Sequence, residues 1–122
     1  MQMGRWAVLA AIAALAASPA SAIAQLKLAG DPQAGRALAL EACTGCHVVA
    51  PDQPFKPIYR GSPRPPDFQD IAGRAGVTAA SLLHDLQSMP TIPKDSQMAN
   101  ADLTDGQARD VVAYILSLRG KP

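Results

Sequence analysis

The 122-residue sequence predicts an all-α domain, and three observations carry that expectation. No stretch alternates apolar and polar residues as a half-buried strand would. Apolar residues instead recur at three- and four-residue spacing in short runs that open on capping residues. The eleven prolines fall almost entirely between those runs, where they mark connections rather than helix interiors.

The first segment has a different character. Residues 1–24 hold one charge, Arg5, then an apolar run over 6–17, then small residues with two A-x-A sites. This is the anatomy of a secretory signal, expected to be cleaved after Ala22 or Ala24. The run of about 12 residues is shorter than the roughly 17–25 that span a bilayer, so membrane attachment is expected only if the segment is retained. Residues 25–122 then form one small domain. With ten Lys and Arg against ten Asp and Glu it is near neutral, and nothing favours a nucleic-acid surface. Its only large aromatics are Phe55, Tyr59, Phe68 and Tyr114, a thin core for its length.

After a linker at 26–29, Asp31 and Pro32 suit the start of a helix over 32–43, which ends at the cysteines. Residues 48–66 contain six prolines and no sustained period, and so form an irregular loop long enough to need a functional reason, such as wrapping a ligand. A short helix follows Asp67 and closes at Gly73. Thr78 caps another over 79–89, with Leu82, Leu83 and Leu86 on one face. Pro90 and Pro93 impose an extended segment from Met89 to about Ala101. Thr104 and Gln107 form a capping box for the last helix, whose stripe of Val111, Ile115 and Leu118 ends near Gly120.

Both cysteines and one of the two histidines lie within residues 43–47, as Cys43-Thr-Gly-Cys46-His47. Cys-x-x-Cys-His is the attachment pattern of c-type haem. Thiols three positions apart on one turn reach the two vinyl-derived carbons of a porphyrin edge as thioethers, and the next residue lies under the iron. Cys43 and Cys46 are the expected tethers and His47 the proximal ligand. A thioredoxin-like thiol pair would open a helix after a strand, whereas this motif follows a helix. A structural zinc site wants four ligands, and only Cys43, Cys46, His47 and His84 exist. A plain disulfide leaves the adjacent histidine unexplained. Export agrees with haem, which would also supply the missing bulk of the core.

GDPQAGRALALEACTGCH, DFQDIA and MANADLTDGQARDVVAYILSLR together resemble a class I monohaem cytochrome c of bacterial, periplasmic type, over most of residues 25–122. The resemblance implies three or four short helices wrapped around one covalent haem c and its iron, with the first and last helices crossing at Gly35 and Tyr114. It also implies a methionine as sixth ligand, in the extended segment before the last helix. Met98, six residues ahead of Thr104, fits that place. Ala99 stands where the family often has proline. Met89, at a helix end, and His84 are the alternatives.

One of the prolines 57, 63, 65 or 66 is expected to accept a hydrogen bond from His47, and Tyr59-Arg60 is a candidate for binding the propionates. The function expected is electron transfer without a substrate, through transient contact with redox partner proteins, as a free carrier or as a cytochrome subunit of a larger oxidoreductase. An open sixth position, as in a haem enzyme or gas sensor, is the alternative; the sequence offers it no distal acid–base set. A non-haem thiol oxidoreductase is the third.

Overall fold

The computed structural model describes residues 29–90, 94 and 98–121. The expected export segment, most of the 26–29 linker and Pro93 lie outside these. Four helices and no strands occur among the described residues: α1 (Pro32–Ala42), α2 (Phe68–Gly73), α3 (Ala79–Ser88) and α4 (Asp105–Ser117).

Three of the four helices begin where a side chain takes up amides that the helix itself cannot satisfy. The Asp31 carboxylate accepts from the Gln33 and Ala34 amides at 2.8 and 3.4 Å, and Pro32 follows it. The Thr78 hydroxyl accepts from the Ser81 amide at 3.1 Å, while the Ser81 hydroxyl accepts from the Thr78 amide at 2.9 Å. Thr104 and Gln107 close the expected box at 3.3 and 2.9 Å. Asp67 precedes α2 without such a side-chain bond.

The ends differ slightly from expectation. α1 stops at Ala42, with Cys43 as its cap, and α3 stops at Ser88, where Met89 turns extended. α4 ends at Ser117 rather than near Gly120. The amides of Leu118, Arg119 and Lys121 each bond to a carbonyl three residues back, so the chain winds more tightly before Gly120 turns it away at φ +70°.

The main packing is that of α1 against α4. A β-carbon on Gly35 would collide with the Asp110 carbonyl and stand 2.9 Å from Tyr114 Cβ, so only glycine admits this approach. The Asp110 carboxylate also accepts from the Asp31 amide at 2.7 Å, tying the start of α1 to the middle of α4. Gly35 and Tyr114 therefore meet as the resemblance implies.

Residues 48–66 are irregular but anchored. The buried Tyr114 hydroxyl donates to the Val49 carbonyl at 2.8 Å, and Gln53 bridges the Val49 amide and the Phe55 carbonyl. From the far end of the chain, Arg119 donates to the carbonyls of Ala72 and Val77, both at 2.8 Å, and so holds the α2–α3 connection. The core around these ties combines Phe68, Leu82, Tyr114, Ile115 and Leu118 with small residues. Ala39, Ala50, Ala72 and Ala108 are buried, and the largest side chains that are essentially inaccessible are Val49 and Val111. None of the helices of the described residues is long and apolar enough to cross a membrane.

Candidate functional site

The carbonyl of Cys43, left over at the end of α1, accepts the amides of Cys46 and His47 at 3.2 and 2.9 Å. This tight turn exposes Cys46, leaves Cys43 half-buried and drives His47 inward to 8% exposure. The His47 ring is fixed on one side. Its Nδ1 lies 2.8 Å from the Pro66 carbonyl, which can only accept, so Nδ1 carries the proton and Nε2 is the nitrogen left to act as a ligand. Of the four prolines open to this role, the fold selects Pro66. The Phe68 amide donates to the Val48 carbonyl at 2.9 Å, bringing residues 66–68 back beside the turn. Phe68 then packs against the imidazole with ring centroids 5.5 Å apart, and Tyr114 stands behind Phe68 at 6.4 Å.

Two adjoining clefts open beside His47. One, of about 70 Å³, is lined by apolar side chains that include Phe68, Leu82, Val111 and Ile115; the other, of about 230 Å³, runs along the Cys43–His47 turn to residues 98–101. Together they reach the lower end of the roughly 300–1,000 Å³ typical of small-molecule sites. Cys43, His47 and Met98 line both. Met89, half-buried at the end of α3, and the exposed His84 line neither. Tyr59 and Arg60 do not reach the clefts either.

The Cys43 thiol is unsuited to exchange chemistry. Burial, with a smaller contribution from the charge of Cys46, pushes the Cys43 thiol up to about 11. A reactive Cys-x-x-Cys thiol is instead shifted down by a helix N-terminus, and Cys43 stands at a C-terminus, where the dipole opposes a thiolate. Among the described residues, no group of three or more His, Cys, Asp and Glu side chains could hold a metal ion by itself. What the site does offer is an apolar slot, a fixed imidazole nitrogen, a thioether and two thiols at its mouth. That donor set fits an iron already held by a porphyrin.

A model of the family described as cytochrome c matches residues 32–119. The chain belongs to the cytochrome c family. Membership, together with a single Cys-x-x-Cys-His motif, makes it a monohaem class I protein that binds covalent haem c and its iron. No curated protein and no solved structure matches the chain. The α1–α4 crossing and the helical class are those expected of a cytochrome c.

Several residues of the site carry no signal in the sequence. Phe68, Ile71 and Leu103 line the first cleft, yet each sits in a short or irregular segment where three- and four-residue spacing cannot declare a face. The period of α4 names Val111 and Ile115 as core; only the packing shows that they also wall the cleft.

Proposed function

We propose that the protein transfers electrons through a haem c tethered by Cys43 and Cys46, with His47 and Met98 as axial iron ligands. Haem of this kind supplies a one-electron couple between ferric and ferrous iron, and a thioether opposite histidine raises its potential. The observation that carries the reading is that His47 and Met98 line the same two clefts at Cys43, with the other histidine and Met89 elsewhere. The chain's own part is to hold both ligands in place and keep water from them. The Pro66 carbonyl orients the imidazole and makes it more basic, and Phe68 braces its face. No substrate is transformed, and no residue is assigned a catalytic role.

The protein acts after export, as a periplasmic carrier or as the cytochrome subunit of a respiratory or dehydrogenase complex. Produced alongside haem-attachment machinery, it should have the mass of a chain beginning at Ile23 or Gln25 plus one haem. The ferric form should show a weak sulfur-to-iron band at the red end of the visible spectrum, and the ferrous form should resist carbon monoxide. Met98→Ala is expected to lose that band, bind carbon monoxide and keep covalent haem. His47→Ala should accumulate no stable holoprotein. Loss of the band in Met89→Ala instead would move the ligand to Met89, and rapid carbon monoxide binding by the unaltered protein would show an open sixth position.

A further inference from the structure

A thioether is a soft donor, poorly matched to ferric iron, so its retention depends on how well the chain holds it in place beforehand. The contacts of residues 98–103 therefore bear on ligation. Ala99 and Ala101 bring no polar side chain, and Leu103 packs half-buried against the core just ahead of α4. Among the described residues, one side-chain hydrogen bond acts within this stretch, and it belongs to Asn100.

Asn100 ties the chain in two directions. Its amide donates to the Pro90 carbonyl at 2.9 Å, which draws the chain leaving α3 and the chain approaching α4 together. Its side-chain oxygen accepts the Asp102 amide at 2.7 Å, two residues on, in the turn that Asn and Asp side chains form with their own backbone. Asp102 takes a left-handed φ of +52°, which Asp tolerates better than most side chains. Across this bend Ala101 and Leu103 line the apolar cleft, while Ala99 and Asn100 line the wider one. Two residues of chain span at most about 7 Å, so fixing Asn100 confines Met98 to the border of both clefts.

We propose that Asn100 is the positioning residue of the sixth ligand: by accepting the Asp102 amide it sets the bend after Met98, and so determines how firmly the thioether is kept on the iron. The inference rests on the Met98 ligation proposed above. Asn100 acts through the backbone, as a clip on the segment that carries the ligand. Its side chain is exposed and adds nothing to the core, so its loss loosens ligation rather than the fold. Gln87 of α3 makes a second polar tie on this side of the molecule, donating to the Asp105 carboxylate at 3.1 Å, yet neither residue lines a cleft.

The test uses the ferric haem-loaded protein and imidazole, a neutral ligand that binds only where the thioether has left. Its apparent affinity, read from the loss of the sulfur band in a spectral titration, measures how firmly Met98 is held. Asn100→Ala removes the acceptor and should raise that affinity about five- to tenfold, the effect of one hydrogen bond on an equilibrium. Asn100→Asp keeps an acceptor oxygen in place and should stay within about twofold of the parent. Gln87→Ala should leave the titration unchanged. In saturating imidazole, with Met98 displaced in every protein, the denaturant midpoints of the parent and Asn100→Ala should coincide, whereas a merely structural side chain would keep them apart. The proposal is overturned by an Asn100→Ala affinity within about twofold of the parent, by an equal shift from Gln87→Ala, by Asn100→Asp as loose as the alanine variant, or by midpoints that stay apart in imidazole. In each of these cases the Met98 assignment stands, provided that the parent shows the sulfur band and Met98→Ala removes it. A parent without the band sinks the assignment itself, and the role of Asn100 with it.

Discussion

The α1–α4 crossing and the cleft side of this domain are held in opposite ways. At the crossing, glycine admits backbone contact, a carboxylate of one helix caps the start of the other, and a buried hydroxyl secures the following loop. On the cleft side, α3 and residues 98–103 face an apolar gap, and the side-chain contacts found there are exposed: Gln87 of α3 donates to the Asp105 carboxylate at 3.1 Å, and the Asn100 side chain accepts the Asp102 amide at 2.7 Å, while the Asn100 amide donates to the Pro90 carbonyl at 2.9 Å. One half is closed by the chain itself; the other is shaped for a group the chain must acquire. The crossing should therefore answer to changes in protein packing alone, and the cleft to haem attachment and ligation.

The sharpest way to break that contrast is Gly35→Ala. The new methyl meets the Asp110 carbonyl, a backbone atom that cannot swing aside, so the helices must separate. Overpacking of this kind costs about 3 kcal/mol, and about 4–8 °C of melting temperature per kcal/mol in a domain of this size. Denaturant unfolding of the holoprotein should show the loss, while the ferric spectrum of the surviving folded fraction stays that of the parent. A variant that keeps its stability but loses the sulfur band would mean that the crossing and the cleft are one unit.

The crossing was also the more legible half. Asp31-Pro32, the Thr104–Gln107 box and the stripe of α4 act through neighbours in sequence, so their chemistry is visible before folding. The Cys-x-x-Cys-His motif is equally local, and it exposes the centre of the site. Gly35 and Tyr114 needed a family resemblance, because nothing in either residue's surroundings says that the two meet. The ties that cross long stretches of sequence were out of reach: Arg119 bonded to Ala72 and Val77, Arg36 to Asp52, and Phe68 set behind His47. An arginine in a last turn looks the same whether it is solvated or spends its donors on carbonyls 42 and 47 residues away. The choice of Pro66 among four prolines likewise depends on where the loop returns, which periodicity does not encode.

A smaller effect should come from Tyr114→Phe, which keeps the ring against Phe68 and removes the bond to the Val49 carbonyl. Leaving that buried carbonyl unpaired costs about 1–2 kcal/mol. The pH dependence gives the loss a signature. Burial raises the Tyr114 hydroxyl above its usual value near 10, with nearby Arg36 partly opposing the shift. The unfolded chain then ionises first. The contribution of the neutral hydroxyl is complete below about pH 10 and declines as pH rises toward the folded value. Parent and Tyr114→Phe melting curves should therefore converge above pH 10, and curves that stay parallel would show that the hydroxyl is not held neutral by the fold.

The least effect belongs to the tie between α1 and the loop. The Arg36 guanidinium donates to both oxygens of Asp52, at 2.9 and 2.8 Å, and this bonding, more than the attraction of charge, lowers the Asp52 carboxyl below its usual value. Both groups are open to solvent, where salt screens the pair and side-chain entropy offsets it. Because the folded value is depressed, the contribution is present above the unfolded carboxylate value near 4 and disappears as pH falls through the folded one. Asp52→Asn should lower the melting temperature slightly at neutral pH and low salt, with no difference from the parent at high salt or in acid. A loss as large as that of Tyr114→Phe and insensitive to salt would show that the proline-rich loop hangs on this ion pair rather than on the buried hydroxyl of α4. The border between the two halves of the molecule would then run along the surface instead of through the core.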